Sequence, residues 1–396
     1  MIGFSKLLTG KATVAAAMRA ADCSAVPPHL LQFSTTSRPI VVWNLTKRCN
    51  LQCRHCYLEA SSGCEGQDEL TTAEALQLIR ELGEIKTPVI IFSGGEPLLR
   101  SDLYELADYA RSQGIRTALS TNGVLITPEV ARRLDSCGFA YIGVSIDGSP
   151  GVHDTFRGVS GAFDKTLKGL RNAREVGLKT GIRFTVNKSN YKDLPFILDL
   201  VKEEKVPRFC LYHLVYAGRG RDLAAGDLSI QEKRELVSYL IQRALDFHQE
   251  GVDTEILTTD HHADGIYLYN WVRENLPERA QDVKKLLEFH GGCSAGEKIA
   301  NIDPAGQVYP CQFWRSSSLG KFPERSFQEI WYDENNELLN ALRNKKEHLQ
   351  GKCGECKHNS LCGGCRIRAE AVNGTIWGED PVCYLTKEEI DSNGKH

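Results

Sequence analysis

The run CNLQCRHC places cysteines at 49, 53 and 56. Three thiolates in one short loop can hold three irons of a four-iron cluster and leave the fourth without a protein ligand, whereas such clusters are ordinarily held by four cysteines. An iron with an open position binds and reduces a small molecule; a fully ligated one mostly shuttles electrons. A zinc site completed by a distant fourth ligand is the competing reading of this spacing. A disulfide framework is not, because the chain is too long for that class. A second group, Cys293, Cys311, Cys353, Cys356, Cys362, Cys365 and Cys383, lies toward the C-terminus. Its CxxC pairs at 353–356 and 362–365 match a zinc ribbon. Seven cysteines do not divide into zinc tetrads, however, and fit one complete cluster plus one three-cysteine set. Cys23, Cys64, Cys137 and Cys210 stand singly and read as small apolar residues.

The elements that must position these groups follow a rhythm. Short runs rich in β-branched and aromatic residues, at 40–45, 89–93, 116–121, 140–147, 181–186 and 208–215, predict strands. Helical spacing fills 71–86, 101–113, 128–136, 163–176 and 193–204, with a capping-box start at Thr71 and Glu74 and glycine stops at 114, 138 and 177. Strands alternating with helices predict a parallel sheet with right-handed crossovers, either a partial (β/α)6 barrel or an open doubly wound sheet. In both, chemistry sits at the carboxyl ends of the strands, which is where the first cysteine loop falls. SGGEP (93–97) follows the second strand and opens on the same face; its glycines allow a ligand close approach and Glu96 adds an acceptor.

The expected organisation is an N-terminal arm with one short helix (1–37), a barrel (38–225), a helical bridge (226–290) with helices at 229–250 and 282–289, a cysteine-rich auxiliary domain (291–385) and a frayed polar tail (386–396). With 396 residues the chain can bury a sizeable core. A net charge of −3 gives no general pull toward nucleic acid or anionic membrane. No apolar run approaches the roughly 20 residues of a membrane span, and the N-terminus lacks the pattern of a secretory signal. A cytoplasmic protein is expected, and in that setting 14 cysteines favour metal binding over cross-linking.

CNLQCRHC, SGGEP, STNG (120–123) and VSIDG (144–148), with Arg157 following in DTFRG, closely resemble the radical S-adenosylmethionine enzymes over residues 38–220. The resemblance implies that Cys49, Cys53 and Cys56 bind a [4Fe–4S] cluster whose free iron is chelated by S-adenosylmethionine. It implies that Gly94, Gly95 and Glu96 receive the methionine amino group, and that Asn122, Ser145 and Arg157 contact ribose and carboxylate. One-electron reduction of the sulfonium would then give a 5′-deoxyadenosyl radical, the cofactor carrying the hard chemistry. His55 stands where the family usually has an aromatic residue. The C-terminal region resembles the SPASM extension, implying one or two auxiliary [4Fe–4S] clusters: one on Cys353, Cys356, Cys362 and Cys383, the other on Cys293, Cys311 and Cys365. Here the last close pair is spaced C-x2-C in place of the usual C-x3-C.

VVWNLTKRCNLQCRHCY, YHLVYAGRGRDL (212–223) and YPCQFWRSSSLG (309–320) resemble the radical enzymes of siroheme-derived heme biosynthesis, and within that group MIGFSKLL and LLQFS are most similar to the deacetylase. That group comprises the didecarboxysiroheme deacetylase, the heme synthase and the heme d maturation enzyme. The implied reaction removes two acetate side chains from didecarboxysiroheme, an iron tetrapyrrole, to give iron-coproporphyrin III, with a low-potential donor such as flavodoxin or ferredoxin. A polycarboxylate calls for arginine, so Arg219 and Arg221 are candidate substrate residues, with His213 a candidate for a carboxylate or the iron. His261 and His262 read as surface. One alternative is another tetrapyrrole side-chain modification, that of the heme synthase or of heme d maturation; the other is peptide modification, against which residues 1–37 look too short for a peptide-binding domain. A pure Fe–S carrier is a third class, and needs no pocket for a sulfonium.

Overall fold

The computed structural model describes residues 1–10, 34–64 and 68–391; Cys23 and the last five residues of the expected tail lie outside them. The chain opens with β1 (Ile2–Gly3) and α1 (Phe4–Thr9), and β2 (Ile40–Asn44) begins the repeating unit. It continues through α2 (Thr72–Glu84), β3 (Val89–Ser93), α3 (Leu103–Ser112), β4 (Arg116–Thr121), α4 (Pro128–Ser136) and β5 (Tyr141–Ser145). Helices α5 (Pro150–Arg157) and α6 (Ala162–Glu175) lead to β6 (Thr180–Val186), α7 (Leu194–Glu203) and β7 (Arg208–His213). Then come α8 (Ile230–Gln249), β8 (Glu255–Thr259), α9 (Ala263–Asn275) and α10 (Ala280–His290).

These strands form one curved sheet in the order β1-β8-β7-β6-β5-β4-β3-β2, every neighbouring pair from β2 to β8 running parallel. Side chains alternate across it, as a period of two requires. Trp43, Ile90, Phe92, Leu119, Ile142, Val144, Ile182, Phe184, Phe209 and Leu211 are fully buried among the helices. The alternate set, including Val42, Ile91, Ser120, Ser145, Arg183 and Tyr212, lines the lumen. Truncating one of the large buried rings, as in Phe92→Ala, costs about 3–5 kcal/mol. Because the strands are parallel, all their carboxyl ends open at one mouth.

Two departures from expectation stand out. The bridge is not purely helical: β8 adds a parallel strand beyond β7, so the partial barrel has one more unit than the six expected. The first ten residues of the arm are integrated as well. Strand β1 pairs antiparallel with β8, and α1 buries Phe4, Leu7 and Leu8 against α8.

The auxiliary region continues the same sheet. Strand β9 (Ile299–Ile302) pairs parallel with β2, and β10 (Gln307–Tyr309) and β11 (Gly320–Lys321) follow antiparallel. Short helices α11 (Phe327–Trp331), α12 (Glu337–Arg343), α13 (Gly351–Glu355) and α14 (Arg366–Asn373) pack around it. The expected frayed tail is partly folded, since α15 (Lys387–Ile390) starts on a Thr386/Glu389 capping box and buries Ile390.

Candidate active site

The first cysteine loop leaves β2 and is held by the loop that leaves β3. Gly95 N donates to Thr46 O (2.6 Å) and Glu96 N to Arg48 O (2.8 Å). The two loops lie so close that a Cβ on Gly94 would stand 2.7 Å from Thr46 O, and one on Gly95 would collide with Arg48 O. Gly94 also has φ +145°, so it is glycine for both reasons.

Donors face the sulfurs. Leu51 N points at Cys49 Sγ (3.4 Å), Ala60 N at Cys56 Sγ (3.4 Å) and Arg157 Nη1 at Cys53 Sγ (3.4 Å). Burial pushes the Cys49 thiol up to about 12 and raises Cys53 as well, although Arg157 opposes the latter. Buried sulfurs aimed at by N–H groups fit iron, which supplies the positive charge a thiolate needs there. Among the described residues, no three His, Cys, Asp or Glu side chains converge where a single metal ion could sit.

The expected cofactor contacts divide. Gly94, Gly95, Asn122, Ser145 and Arg157 line a cavity of about 210 Å3 together with all three cysteines. Asn122 Nδ2 donates to Asn50 Oδ1 (2.8 Å), tying the STNG loop to the cysteine loop. Arg157 ion-pairs with buried Asp147, whose carboxylate also accepts from Thr185 N (2.7 Å), so the guanidinium is fixed toward Cys53. Glu96 differs from expectation and does not reach the cavity. Its carboxylate is fully buried and accepts from Thr121 Oγ1 (2.8 Å), Asn122 N (2.9 Å) and Leu98 N (3.2 Å). It braces the loops after β3 and β4. Burial outweighs these hydrogen bonds and lifts its carboxyl to about 7. His55 stacks on Phe156 (4.4 Å, 3°), and burial holds it neutral, so it serves as the flat ring expected there.

The cavity shares Arg183, Tyr212, Val215, Asp260, Gln312 and Phe313 with a larger one of about 500 Å3, making one continuous lumen. Cys293, Cys311 and Cys365 line its far part. Cys353, Cys356, Cys362 and Cys383 do not. The thiols Cys311 senses are Cys293 and Cys365, while Cys362 senses Cys383 and Cys353. Asp380 N and Arg366 Nη2 point at Cys353 Sγ (3.3 and 3.7 Å), and His358 N at Cys356 Sγ (3.4 Å). The short C-x2-C spacing separates Cys362 from Cys365 because Gly363 and Gly364 both adopt positive φ, +69° and +57°, turning the chain between them.

The candidate substrate residues are also reassigned. Arg219 lies at the mouth but spends its guanidinium on Cys53 O (2.9 Å) and Ala60 O (3.0 Å), bracing the cysteine loop. Arg221 is exposed and lines neither cavity, because the short helical turns after Ala217 carry it outward. His213 lines the smaller cavity, and its Nε2 meets Asp264 Oδ2 (2.8 Å). Against the effect of burial, His213 holds Asp264 well below the usual carboxylate range. His261 and His262 are not surface residues. They follow β8 at its carboxyl end, where His261 is buried against Tyr384 (5.0 Å) and His262 lines the larger cavity. Sequence reasoning missed Asp264, Tyr384 and Arg183. The one signal for Arg183 was a lone cation on the inward phase of an apolar strand.

Residues 43–201 match the Radical SAM superfamily, and 293–357 match SPASM, an iron-sulfur cluster-binding domain. Fe-coproporphyrin III synthase of Methanosarcina barkeri is 48% identical over 98% of this chain and 99% of its own length. Pre-heme d1 synthase of Dinoroseobacter shibae is 42% identical over 92% of this chain and 90% of its own. Among solved structures, Streptococcus suis SuiB bound to S-adenosylmethionine superposes with a TM-score of 0.68 at 20% identity, covering 88% of this chain and 78% of that one. At that identity the likeness is one of fold. No helix among the described residues is long and apolar enough to cross a membrane.

Proposed function

Given that the chain belongs to the radical SAM superfamily and carries a SPASM domain, we propose that it removes the two acetate side chains of didecarboxysiroheme to give iron-coproporphyrin III. The observation that carries this reading is the end-to-end likeness to Fe-coproporphyrin III synthase. The lumen supports it, because one enclosed space with arginines on its wall joins both thiol-bearing regions.

When bound, the reduced cluster and S-adenosylmethionine supply a 5′-deoxyadenosyl radical able to take hydrogen from an unactivated carbon. The protein's part is to hold and enclose. Cys49, Cys53 and Cys56 are assigned to the open cluster, with Gly94, Gly95, Asn122, Ser145 and Arg157 around S-adenosylmethionine. Cys353, Cys356, Cys362 and Cys383 are assigned to one auxiliary cluster, and Cys293, Cys311 and Cys365 to a second that faces the substrate space. Val215 and Phe313 give the lumen an apolar wall where its two parts meet. Asp147 fixes the Arg157 guanidinium, and Asp264 orients the buried His213 ring at the edge of the smaller part of the lumen. Electrons come from a low-potential donor such as flavodoxin or ferredoxin.

The test is anaerobic incubation of the reconstituted enzyme with didecarboxysiroheme, siroheme and iron-coproporphyrin in parallel. Loss of two acetate arms from the first alone is expected. Cys53→Ala should abolish 5′-deoxyadenosine formation while retaining auxiliary iron. No mass change with any tetrapyrrole, alongside activity on a short peptide, would replace this reading.

A further inference from the structure

We infer that Arg183 is the anchor for a substrate carboxylate, a role that rests on the polycarboxylate tetrapyrrole read above. The arginines lining the lumen are otherwise occupied. Arg157 pairs with Asp147 and Arg208 with Glu255, while Arg219 gives its protons to two backbone carbonyls. Arg366 takes Cys353 Sγ and the carbonyls of Ile376 and Gly378. Arg183 donates to one hydroxyl, Ser120 Oγ, and the ionisable groups it senses most are Tyr212, Tyr141, Cys210 and Tyr57, none of them a carboxylate. Among the described residues no carboxylate forms an ion pair with it; Asp260, which shares the lumen wall, accepts from Arg368 at its backbone carbonyl, and its carboxylate makes no pair with Arg183. A largely enclosed cation left unpaired is unfavourable, so a ligand carboxylate completes the arrangement.

The place is built for this guanidinium. Arg183 lines both parts of the lumen. It lies flat across Gly143 of the neighbouring strand, where a Cβ would collide with its Nε and Cζ. Gly143 and Gly181 are register partners, and Gly181 in turn makes room for the Tyr141 hydroxyl. Two facing glycines thus let an arginine and a tyrosine lie side by side on the barrel wall. Arginine's planar fork suits a carboxylate bidentately.

Two carboxylates could fill the place, that of the tetrapyrrole and that of S-adenosylmethionine, and the experiment separates them. Anaerobic holoenzyme is titrated with iron-coproporphyrin III, a tetracarboxylate, with its tetra-amide, and with S-adenosylmethionine. Arg183→Met should weaken tetraacid binding about ten- to a hundredfold, as loss of a hydrogen bond to a charged group does. It should bind the tetra-amide and S-adenosylmethionine as the wild type does. Gly143→Ala keeps the charge but displaces the guanidinium, and should reproduce the loss; Arg183→Lys should fall between. Iron content reports folding, and if Arg183→Met lacks iron the other two variants carry the comparison. Unchanged tetraacid binding in the variants overturns the inference, as does a loss confined to S-adenosylmethionine. Failure of the wild type to bind either porphyrin overturns the tetrapyrrole reading itself, and this inference with it.

Discussion

Arg368 ties the auxiliary region to the barrel, and its replacement by methionine tests how that tie works. The guanidinium of this α14 residue is fully buried and donates to Asp380 Oδ1 and Oδ2 (3.0 and 2.8 Å), to Leu214 O after β7 (3.1 Å) and to Asp260 O after β8 (2.7 Å). Asp380 accepts in turn from Cys365 N (2.8 Å), and its own N–H points at Cys353 Sγ (3.3 Å), so both auxiliary cysteine sets hang on this pair. Against burial, Arg368 holds the Asp380 carboxyl well below its usual range. A depressed carboxylate contributes stability above its unfolded value that is lost only as pH falls toward the folded one, so the pair is intact at neutral pH. Removing one partner of a buried pair costs about 3–5 kcal/mol. At about 1.4 kcal/mol per tenfold, amide protection around 366–373 and 214–217 should fall by about two to nearly four powers of ten. Hydrogen exchange of the anaerobic holoenzyme at pH 7, read by mass spectrometry, measures it. The double variant Arg368→Met/Asp380→Leu should recover most of the loss, since no buried charge is then left alone. Wild-type exchange in the single variant, or a double variant as labile as the single, would refute the reasoning.

Three further outcomes follow from the site. Burial lifts the Glu96 carboxyl from 4.5 to about 7, so its contribution to stability is complete below about 4.5 and is lost as pH rises through about 7. In thermal unfolding without S-adenosylmethionine, the wild type should therefore lose ground to Glu96→Gln between about pH 5 and 8. Gly364→Ala forces a side chain into a φ of +57°, 2.9 Å from Asp380 Cβ and 3.1 Å from Cys353 Sγ. Left-handed backbone alone costs about 1–2 kcal/mol, and iron per chain should fall while 5′-deoxyadenosine formation persists. Arg219→Met should slow S-adenosylmethionine cleavage without changing porphyrin affinity, and Arg221→Met should change neither.

Strands β2 to β7 were legible because each carries a compact apolar run between helical patterns. Strand β8 was not. Its five residues, EILTT, sit between long helices, and what makes them a strand is pairing with β7 on one side and β1 on the other. The three-cysteine loop was legible because its ligands are local in sequence. The substrate arginines were misassigned because GRGR advertises charge but not reach: one of its guanidiniums turns inward onto carbonyls and the other faces solvent. Arg183 was hidden because its meaning depends on Gly143, 40 residues earlier and one strand away. The docking of the first ten residues was also illegible, since Phe4, Leu7 and Leu8 have no partner nearby in sequence.

The ladder between Ile40–Asn44 and Ile299–Ile302 bears on how this chain can be cut. A protein ending at residue 290 would keep every cysteine of CNLQCRHC, yet it would bare the hydrogen-bonding rim of the strand that feeds that loop. A naked apolar strand edge is a template for self-association. The shortened form should therefore accumulate as aggregates, and excision of the C-terminal quarter is no route to a minimal S-adenosylmethionine-cleaving unit.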